Sequence, residues 1–218
     1  MFRLKNGDVI LFQGDSITDG NRGRNQDLNH IHGHGYQYIL ASEMEADNLD
    51  KNIVIHNRGI SGNCIADLHT RWEEDCVNLR PTILSILVGV NDAHFNFYDE
   101  TGSSPERYEE IFRTLLDDAI KINPDITIVI MEPFFGESKT AGYSEYMKAH
   151  VPEFAASAKK IADEYNAIFV PLQDIFDEQI KTADTFRLLW DGVHPTTGAH
   201  QLIARRWKDC VEEKINSR

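Results

Sequence analysis

Apolar residues along the chain follow two alternating patterns. Short, almost continuously apolar runs predict strands at residues 8–12, 52–56, 82–88, 126–131 and 167–170. Between them lie longer segments in which apolar residues recur every three or four positions, and these predict helices at 35–46, 64–78, 105–121, 144–165 and 197–215. Apolar strands joined by helices are typical of a parallel sheet covered on both faces. The pattern therefore predicts an α/β fold: a three-layer α/β/α sandwich with a central five-stranded parallel sheet.

Two local signals support the helix predictions. In segment 64–78 the apolar positions Ile65, Leu68, Trp72 and Cys76 are three or four residues apart. Ser104 followed by Pro105 is typical of a helix start, with serine as the N-cap and proline at the first helical position. No repeat, low-complexity tract or long linker divides the 218 residues, so a single domain over 1–218 is expected.

Composition and charge exclude some classes of binding partner. The chain carries 22 Lys plus Arg against 35 Asp plus Glu, a formal net charge of -13, which argues against a nucleic-acid partner. No apolar run is long enough for a membrane span, and the first residues lack the pattern of a signal peptide. The three cysteines have neither metal-ligand nor redox spacing, so reduced thiols in a cytoplasmic protein are expected.

Polar motifs follow four of the predicted strands. The first strand runs into "GDSIT", the second into "NRGISGN", the third into "GVND" and the fourth into "EPFFGES". In open parallel sheets, binding sites assemble at the carboxyl ends of the strands. A serine, a glycine-rich turn and an asparagine are therefore expected to meet at one edge of the sheet.

Ser16 in the first motif is a candidate nucleophile, although Gly, Asp and Ser also form ordinary turns. A serine needs a base to remove its proton. Of the nine histidines, His194 in "WDGVHPTTG" is the best candidate, because Asp191 three residues earlier could orient its ring. The alternative for this segment is a helix-entry loop in which Asp191 binds backbone N–H groups. Taken together with Ser16, the segment favours a Ser16–His194–Asp191 triad.

Ester hydrolysis also needs donors for the negative charge that develops on the carbonyl oxygen. The candidates are the backbone N–H groups of Ser16 and Gly59 and the side-chain amide of Asn91. Gly59 could instead be a plain turn glycine, and Asn91 could bind its own loop. Because all three follow strands at the same sheet edge, the oxyanion-hole interpretation is favoured.

The four motifs "GDSIT", "NRGISG", "GVND" and "DGVHP" resemble, in order and over nearly the whole chain, the four sequence blocks of the SGNH (GDSL-type) hydrolases. The resemblance implies a flavodoxin-like fold with Ser16 as nucleophile, Asp191 and His194 as the other triad members, and Ser16, Gly59 and Asn91 as the oxyanion hole. It also implies hydrolysis that needs neither a cofactor nor a metal. Thr18 stands where the G-x-S-x-G motif of α/β-hydrolases has its second glycine, which separates the chain from that fold.

Longer stretches around these blocks are similar to small intracellular bacterial esterases that remove acetyl groups from xylo-oligosaccharides. The expected partner is therefore a small acyl ester, namely an acetylated oligosaccharide. Neither a membrane nor a nucleic acid is expected as a partner, and the chain could form a homo-oligomer. The same machinery would serve a lysophospholipase or an acyl-thioesterase with a longer apolar pocket. The alternative of another class is a catalytically silent carbohydrate-binding module, against which the intact triad argues.

Three further segments carry candidate ligand-binding residues. His30, His32 and His34 alternate in "NHIHGHG" and could hold a metal, but a loop near the mouth of the active site is favoured. The aromatic segment 94–99 ("HFNFYD") could stack on sugar or cover the sheet edge. Trp190, next to Asp191, is expected to line the acyl pocket.

Overall fold

The computed structural model describes residues 1–25 and 27–217. Its five strands are β1 Val9–Gly14, β2 Val54–Asn57, β3 Ile83–Leu87, β4 Thr127–Met131 and β5 Ile168–Val170. All neighbouring strands pair in parallel, in the order β2-β1-β3-β4-β5. The prediction of a five-stranded parallel sheet is confirmed, with each strand within about two residues of its predicted bounds.

The helices of the described chain are α1 Ser16–Asp19, α2 Tyr36–Asp47, α3 Ile65–Thr70, α4 Trp72–Asp75, α5 Val90–Tyr98, α6 Pro105–Ile122, α7 Ala141–Glu164, α8 Gln173–Ile180 and α9 Thr197–Asn216. Short 3-10 turns lie at Val77–Leu79 and Thr185–Arg187. The predicted start of α6 is confirmed, because Ser104 Oγ accepts a hydrogen bond from the Arg107 N–H at 3.2 Å. None of the helices in the described ranges is both long and apolar enough to cross a membrane.

Helices cover both faces of the sheet because successive side chains of a strand point to opposite faces. On β1, the Phe12 ring packs against Trp207 of α9 and Tyr36 of α2. The next residue, Gln13, points the other way and donates from Nε2 to the Asp75 carbonyl of α4 at 2.8 Å. Helices α2 and α9 therefore form one outer layer, and α3, α4, α6 and α7 form the other. The predicted three-layer α/β/α sandwich is confirmed.

The predicted helix over 64–78 is interrupted in the structure. The backbone leaves helical geometry at Arg71 (φ −109°, ψ 8°) and at Cys76 (φ −141°, ψ −60°), which divides the segment into α3, α4 and a 3-10 turn. The apolar periodicity still identifies the buried face correctly, since Ile65, Leu68 and Trp72 are all buried. The apolar periodicity shows which side chains are buried. It does not show that the helix is interrupted at Arg71, because the side chain of Arg71 binds groups from other segments of the chain.

The chain order of the strands places a crevice between β1 and β3. After β1 the chain forms β2 on one side, and it then crosses to form β3 on the other side. Ligand sites of open α/β sheets lie at such reversals, beyond the carboxyl ends of the strands. Ser16 follows β1 here and Asn91 follows β3, so the fold brings the first and third motifs to one crevice.

Candidate active site

Ser16 is the first residue of α1, directly after β1. Asp15 acts as the N-cap of this short helix, its Oδ1 accepting a hydrogen bond from the Ile17 N–H at 2.9 Å. The Ser16 hydroxyl points across the crevice, and its Oγ lies 2.8 Å from Nε2 of His194. The predicted serine and histidine, 178 positions apart in the chain, therefore lie in direct contact.

Asp191 and His194 form a compact turn just before α9. Asp191 Oδ2 lies 2.7 Å from His194 Nδ1, while its Oδ1 accepts hydrogen bonds from the backbone N–H groups of His194 (2.8 Å) and Val193 (3.0 Å). The two interpretations of this segment are therefore compatible, because one oxygen organises the loop and the other orients the ring.

The electrostatics of this pair suit a base. The hydrogen bond to Asp191 raises the pKa of His194 above its ordinary value, against the opposing effect of partial burial. Partial burial acts to raise the pKa of Asp191, but its hydrogen bonds from His194 outweigh this and leave the pKa below its usual range. The carboxylate therefore stays charged and favours the imidazolium that forms when His194 takes a proton.

Asp15 behind the nucleophile is a second carboxyl group near His194. It is fully buried, its Oδ2 has no hydrogen-bond partner among the described residues, and burial raises its pKa to about 7. Its role in the fold is to cap α1 and so to set the direction of Ser16. The protonation of Asp15 is therefore coupled to the folding of the site.

The three predicted oxyanion donors differ in whether they already donate a hydrogen bond within the protein. Within the described ranges, no group accepts a hydrogen bond from the backbone N–H of Ser16. Asn91 Nδ2 donates to the Asn63 carbonyl at 3.1 Å, and its second hydrogen has no acceptor among the described residues. The N–H of Gly59, however, donates to Asn57 Oδ1 at 3.0 Å. Gly59 therefore has no free N–H to offer an oxyanion, which counts against its predicted role.

Gly59 is required for close packing instead. A Cβ at this position would lie 2.3 Å from the backbone N of Asp19, so only glycine lets the loop approach α1. Gly62, three residues later, has φ +84°, and no described group accepts a hydrogen bond from its N–H. It lies between Ser61, which lines the cleft with Ser16, and Asn63, which contacts Asn91. Both glycines stand in "NRGISGN", and the sequence alone offered no means of choosing between them.

The cleft beside Ser16 has a volume of about 280 Å³. It is lined by residues of four segments: Ser16, Ile17, Asp19, Gly20, Asn21, His34, Ser61, Trp190, His194, Pro195 and His200. The Trp190 ring stacks on the His194 ring, with centroids 5.7 Å apart and planes at 23°, and its side chain is 60% exposed. Trp190, which is predicted to line the acyl pocket, therefore lies in the wall of this cleft.

The three histidines of segment 30–34 lie in different environments. His34 lines the cleft, His30 is exposed, and His32 is largely buried with its Nε2 3.6 Å from Glu45. Burial lowers the pKa of His32. Residues 1–25 and 27–217 contain no group of three or more His, Cys, Asp or Glu side chains placed to hold a metal ion. The location near the active-site mouth thus applies to His34 alone.

The aromatic segment 94–99 forms the last turns of α5. Its rings pack against Tyr143 and Tyr146 of α7, and His94 Nδ1 lies 2.8 Å from the Tyr143 hydroxyl. The segment therefore packs against α7. Tyr98 remains 62% exposed, so sugar stacking stays a prediction for this residue.

Comparison with known proteins agrees with this geometry. Residues 12–202 match the GDSL-like lipase/acylhydrolase family. The chain is 33% identical to an acetylxylan esterase from Geobacillus stearothermophilus over 99% of its own length and 100% of that protein. A protein of Parabacteroides merdae described as a GDSL-like lipase has a similar structure, with a TM-score of 0.87, 38% identity and 96% and 97% coverage of the two chains. A crystal structure of the Geobacillus acetylxylan esterase aligns with a TM-score of 0.80 at 32% identity, covering 94% of each chain. The chain belongs to the GDSL-like lipase/acylhydrolase family, and it is a carboxylic ester hydrolase.

Proposed function

We propose that this chain is a serine esterase that removes acetyl groups from carbohydrate, with acetylated xylo-oligosaccharides as the substrate class. The observation that carries the proposal is the 2.8 Å contact between Ser16 Oγ and His194 Nε2, with Asp191 bound to the far side of the ring. A serine, a base and an orienting carboxylate in this order are what nucleophilic acyl transfer requires.

The proposed mechanism has two stages. His194 takes the proton of the Ser16 hydroxyl as Oγ attacks the acetyl carbonyl, and the imidazolium then protonates the departing sugar oxygen. This leaves an acetyl group on Ser16. In the second stage His194 removes a proton from water, the resulting hydroxide attacks the acetyl carbonyl, and Oγ recovers the proton as acetate leaves. Asp191 stabilises the imidazolium in both stages.

The negative charge on the carbonyl oxygen would be bound by the N–H groups of Ser16 and Gly62 and the side-chain amide of Asn91. Gly62 takes the place predicted for Gly59, because its N–H is unpaired among the described residues, whereas that of Gly59 is bound to Asn57. Donors fixed before the reaction cost no reorganisation when the charge develops, which is why such holes contribute strongly to rate.

Two observations support acetyl esters of sugars as substrates. The cleft at Ser16 is small, and Trp190 is one of its lining residues. The relatives include an acetylxylan esterase and one structure named as an acetyl-xylooligosaccharide esterase. That Geobacillus enzyme has been crystallised as catalytic mutants in which an aspartate, a serine or a histidine is replaced by alanine, the same three residue types that meet here.

The experiment that tests the proposal has two arms. A fluorophosphonate probe should label the wild-type chain but not the Ser16→Ala variant, because only an activated serine reacts. Ser61→Ala is the matched control, since Ser61 lines the same cleft and should not be the labelled residue. Acetate release is then measured on acetylated xylo-oligosaccharides. Equal labelling of Ser16→Ala and the wild type would refute the nucleophile assignment, and labelling without acetate release would refute the substrate.

A further inference from the structure

Arg71 lies at the junction of α3 and α4, and its side chain reaches back to the segments that follow β1 and β2. Its Nη1 donates to the Arg58 carbonyl at 2.8 Å, and its Nη2 donates to the Gly14 carbonyl at 3.4 Å. Its Nε donates to Asn63 Oδ1 at 2.8 Å. One guanidinium thus contacts the strand end that carries Ser16 and both ends of the loop that contains Gly62.

Asn63 connects this guanidinium to Asn91. Its side-chain oxygen accepts from Arg71, and its backbone carbonyl accepts from Asn91 Nδ2 at 3.1 Å. The amide of Asn91 is planar, so fixing one of its two hydrogens determines where the other points. The orientation of Asn63 therefore sets the direction of the free hydrogen on Asn91.

The ion pair of Arg71 does not account for this arrangement. Asp75 Oδ2 binds Nη1 at 2.8 Å in an i,i+4 pair, and the guanidinium is largely buried. A partly buried ion pair contributes little net stability, because desolvation offsets the attraction. A flexible lysine could also pair with Asp75, whereas three further contacts in fixed directions require the planar fork of arginine.

We propose that Arg71 is a positioning residue that orients the Asn91 amide through Asn63. The inference rests on the proposed function, since it assumes that Asn91 binds the oxyanion. Arg71 does not touch the substrate in this scheme. Its effect is to hold a donor in place, and small misplacements of such groups can cost on the order of 100-fold in rate.

The test measures kcat and KM for an acetyl ester in a set of variants. Arg71→Met should lower kcat about 10- to 100-fold and leave KM within about twofold, since the donor acts only once charge has developed. In an Asn91→Ala background the same substitution should lower kcat by about threefold or less, because no amide remains to be oriented. A general structural defect would reduce both backgrounds equally.

Matched variants distinguish loss of the Arg71–Asn63–Asn91 link from loss of the Asp75 charge and from misfolding. Asp75→Asn removes the charge but keeps a side-chain oxygen that can accept from Nη1, so kcat should stay within about threefold of wild type. Arg113→Met removes a guanidinium bound to Glu109 and Glu164 on the outer helices and should leave kcat unchanged. If Arg71→Met does not fold, Asn63→Ala tests the same link, because it removes the side-chain acceptor of Arg71 and keeps the backbone carbonyl.

The outcomes are distinct from those that bear on the proposed function. The inference would be overturned if a folded Arg71→Met variant kept the wild-type kcat. If Arg71→Met does not fold, a wild-type kcat in Asn63→Ala would overturn it. It would also be overturned if Arg71→Met lowered kcat by the same factor in the wild-type and Asn91→Ala backgrounds. If Ser16→Ala is inactive while these variants are normal, only the Arg71 inference fails. If Ser16→Ala keeps acetylesterase activity, the proposed function fails and the Arg71 inference fails with it.

Discussion

Asp191 holds His194 by both its ring and its backbone. One carboxylate oxygen lies 2.7 Å from Nδ1 and the other accepts the backbone N–H of the same residue at 2.8 Å. The ring is thereby fixed with Nε2 towards Ser16, and the loop that carries it is fixed as well.

The first prediction concerns Ser16 and His194 as a unit. Ser16→Ala and His194→Ala should each lower kcat by about 10⁶, and the double variant should be no worse than either, because neither group acts without the other. Steady-state kinetics on an acetyl ester measures all three. Losses that multiply in the double variant would contradict a shared step.

The second prediction concerns pH. His194 must be neutral to accept a proton, and its hydrogen bond to Asp191 raises its pKa. Activity should therefore be lost as pH falls through a midpoint above about 6.5, the ordinary value for histidine. Asp191→Asn removes the carboxylate that raises this pKa, so the midpoint should move to lower pH while kcat falls by roughly 10⁴. The profile of kcat/KM against pH checks both effects, and an unshifted midpoint would contradict the claim that Asp191 raises the pKa of His194.

The third prediction concerns the oxyanion. Asn91→Ala should lower kcat by about 10² to 10³, equivalent to ~2.7 to 4 kcal/mol, with little change in KM. Gly59→Ala should instead lower the free energy of unfolding, since its Cβ would collide with the Asp19 backbone. Kinetics combined with urea unfolding separates the two residues. A raised KM with normal kcat in Asn91→Ala would mean that Asn91 binds the substrate in the ground state.

The fourth prediction concerns acyl chain length. A short pocket beside Ser16 and Trp190 should favour acetyl over butyryl esters and nearly exclude octanoyl esters, since overfilling a packed pocket costs roughly 1 to 3 kcal/mol. Trp190→Ala should admit longer chains and lose kcat on acetyl esters. Tyr38→Ala is the control, because Tyr38 is also an exposed aromatic residue but lies on α2 outside the cleft lining. A wild-type preference for chains of eight carbons or more would favour a lysophospholipase or thioesterase.

The fifth prediction concerns stability. Burial raises the pKa of Asp15 to about 7, whereas an aspartate in an unfolded chain titrates near ~3.9. Between these values the folded state binds a proton that the unfolded state does not, so this group makes stability fall as pH rises from about 4 to 7, by on the order of 4 kcal/mol. Asp15→Asn lacks this dependence. In urea unfolding from pH 4 to 8, the free energy of unfolding of the variant should rise relative to that of the wild type. A difference that does not change with pH would contradict the raised pKa of Asp15.

The layers of the fold and the candidate triad residues could be predicted from the sequence. Each residue is apolar or polar, and the spacing of the apolar residues shows which side chains are buried, so the five strands and the long helices could be predicted. Ser16, Asp191 and His194 could be named as candidates because they stand in motifs of distinctive composition, each following or preceding a clear element.

Residues of the same type are distinguished by their contacts in the folded chain, which the sequence does not show. Gly59 and Gly62 are alike in sequence, and they are distinguished by the hydrogen bond from the Gly59 N–H to Asn57 and by the unpaired N–H of Gly62. The link from Arg71 through Asn63 to Asn91 joins segments that follow two different strands, β2 and β3. Such contacts depend on where the sheet places the ends of its strands, and no local pattern of hydrophobic and polar residues carries that information.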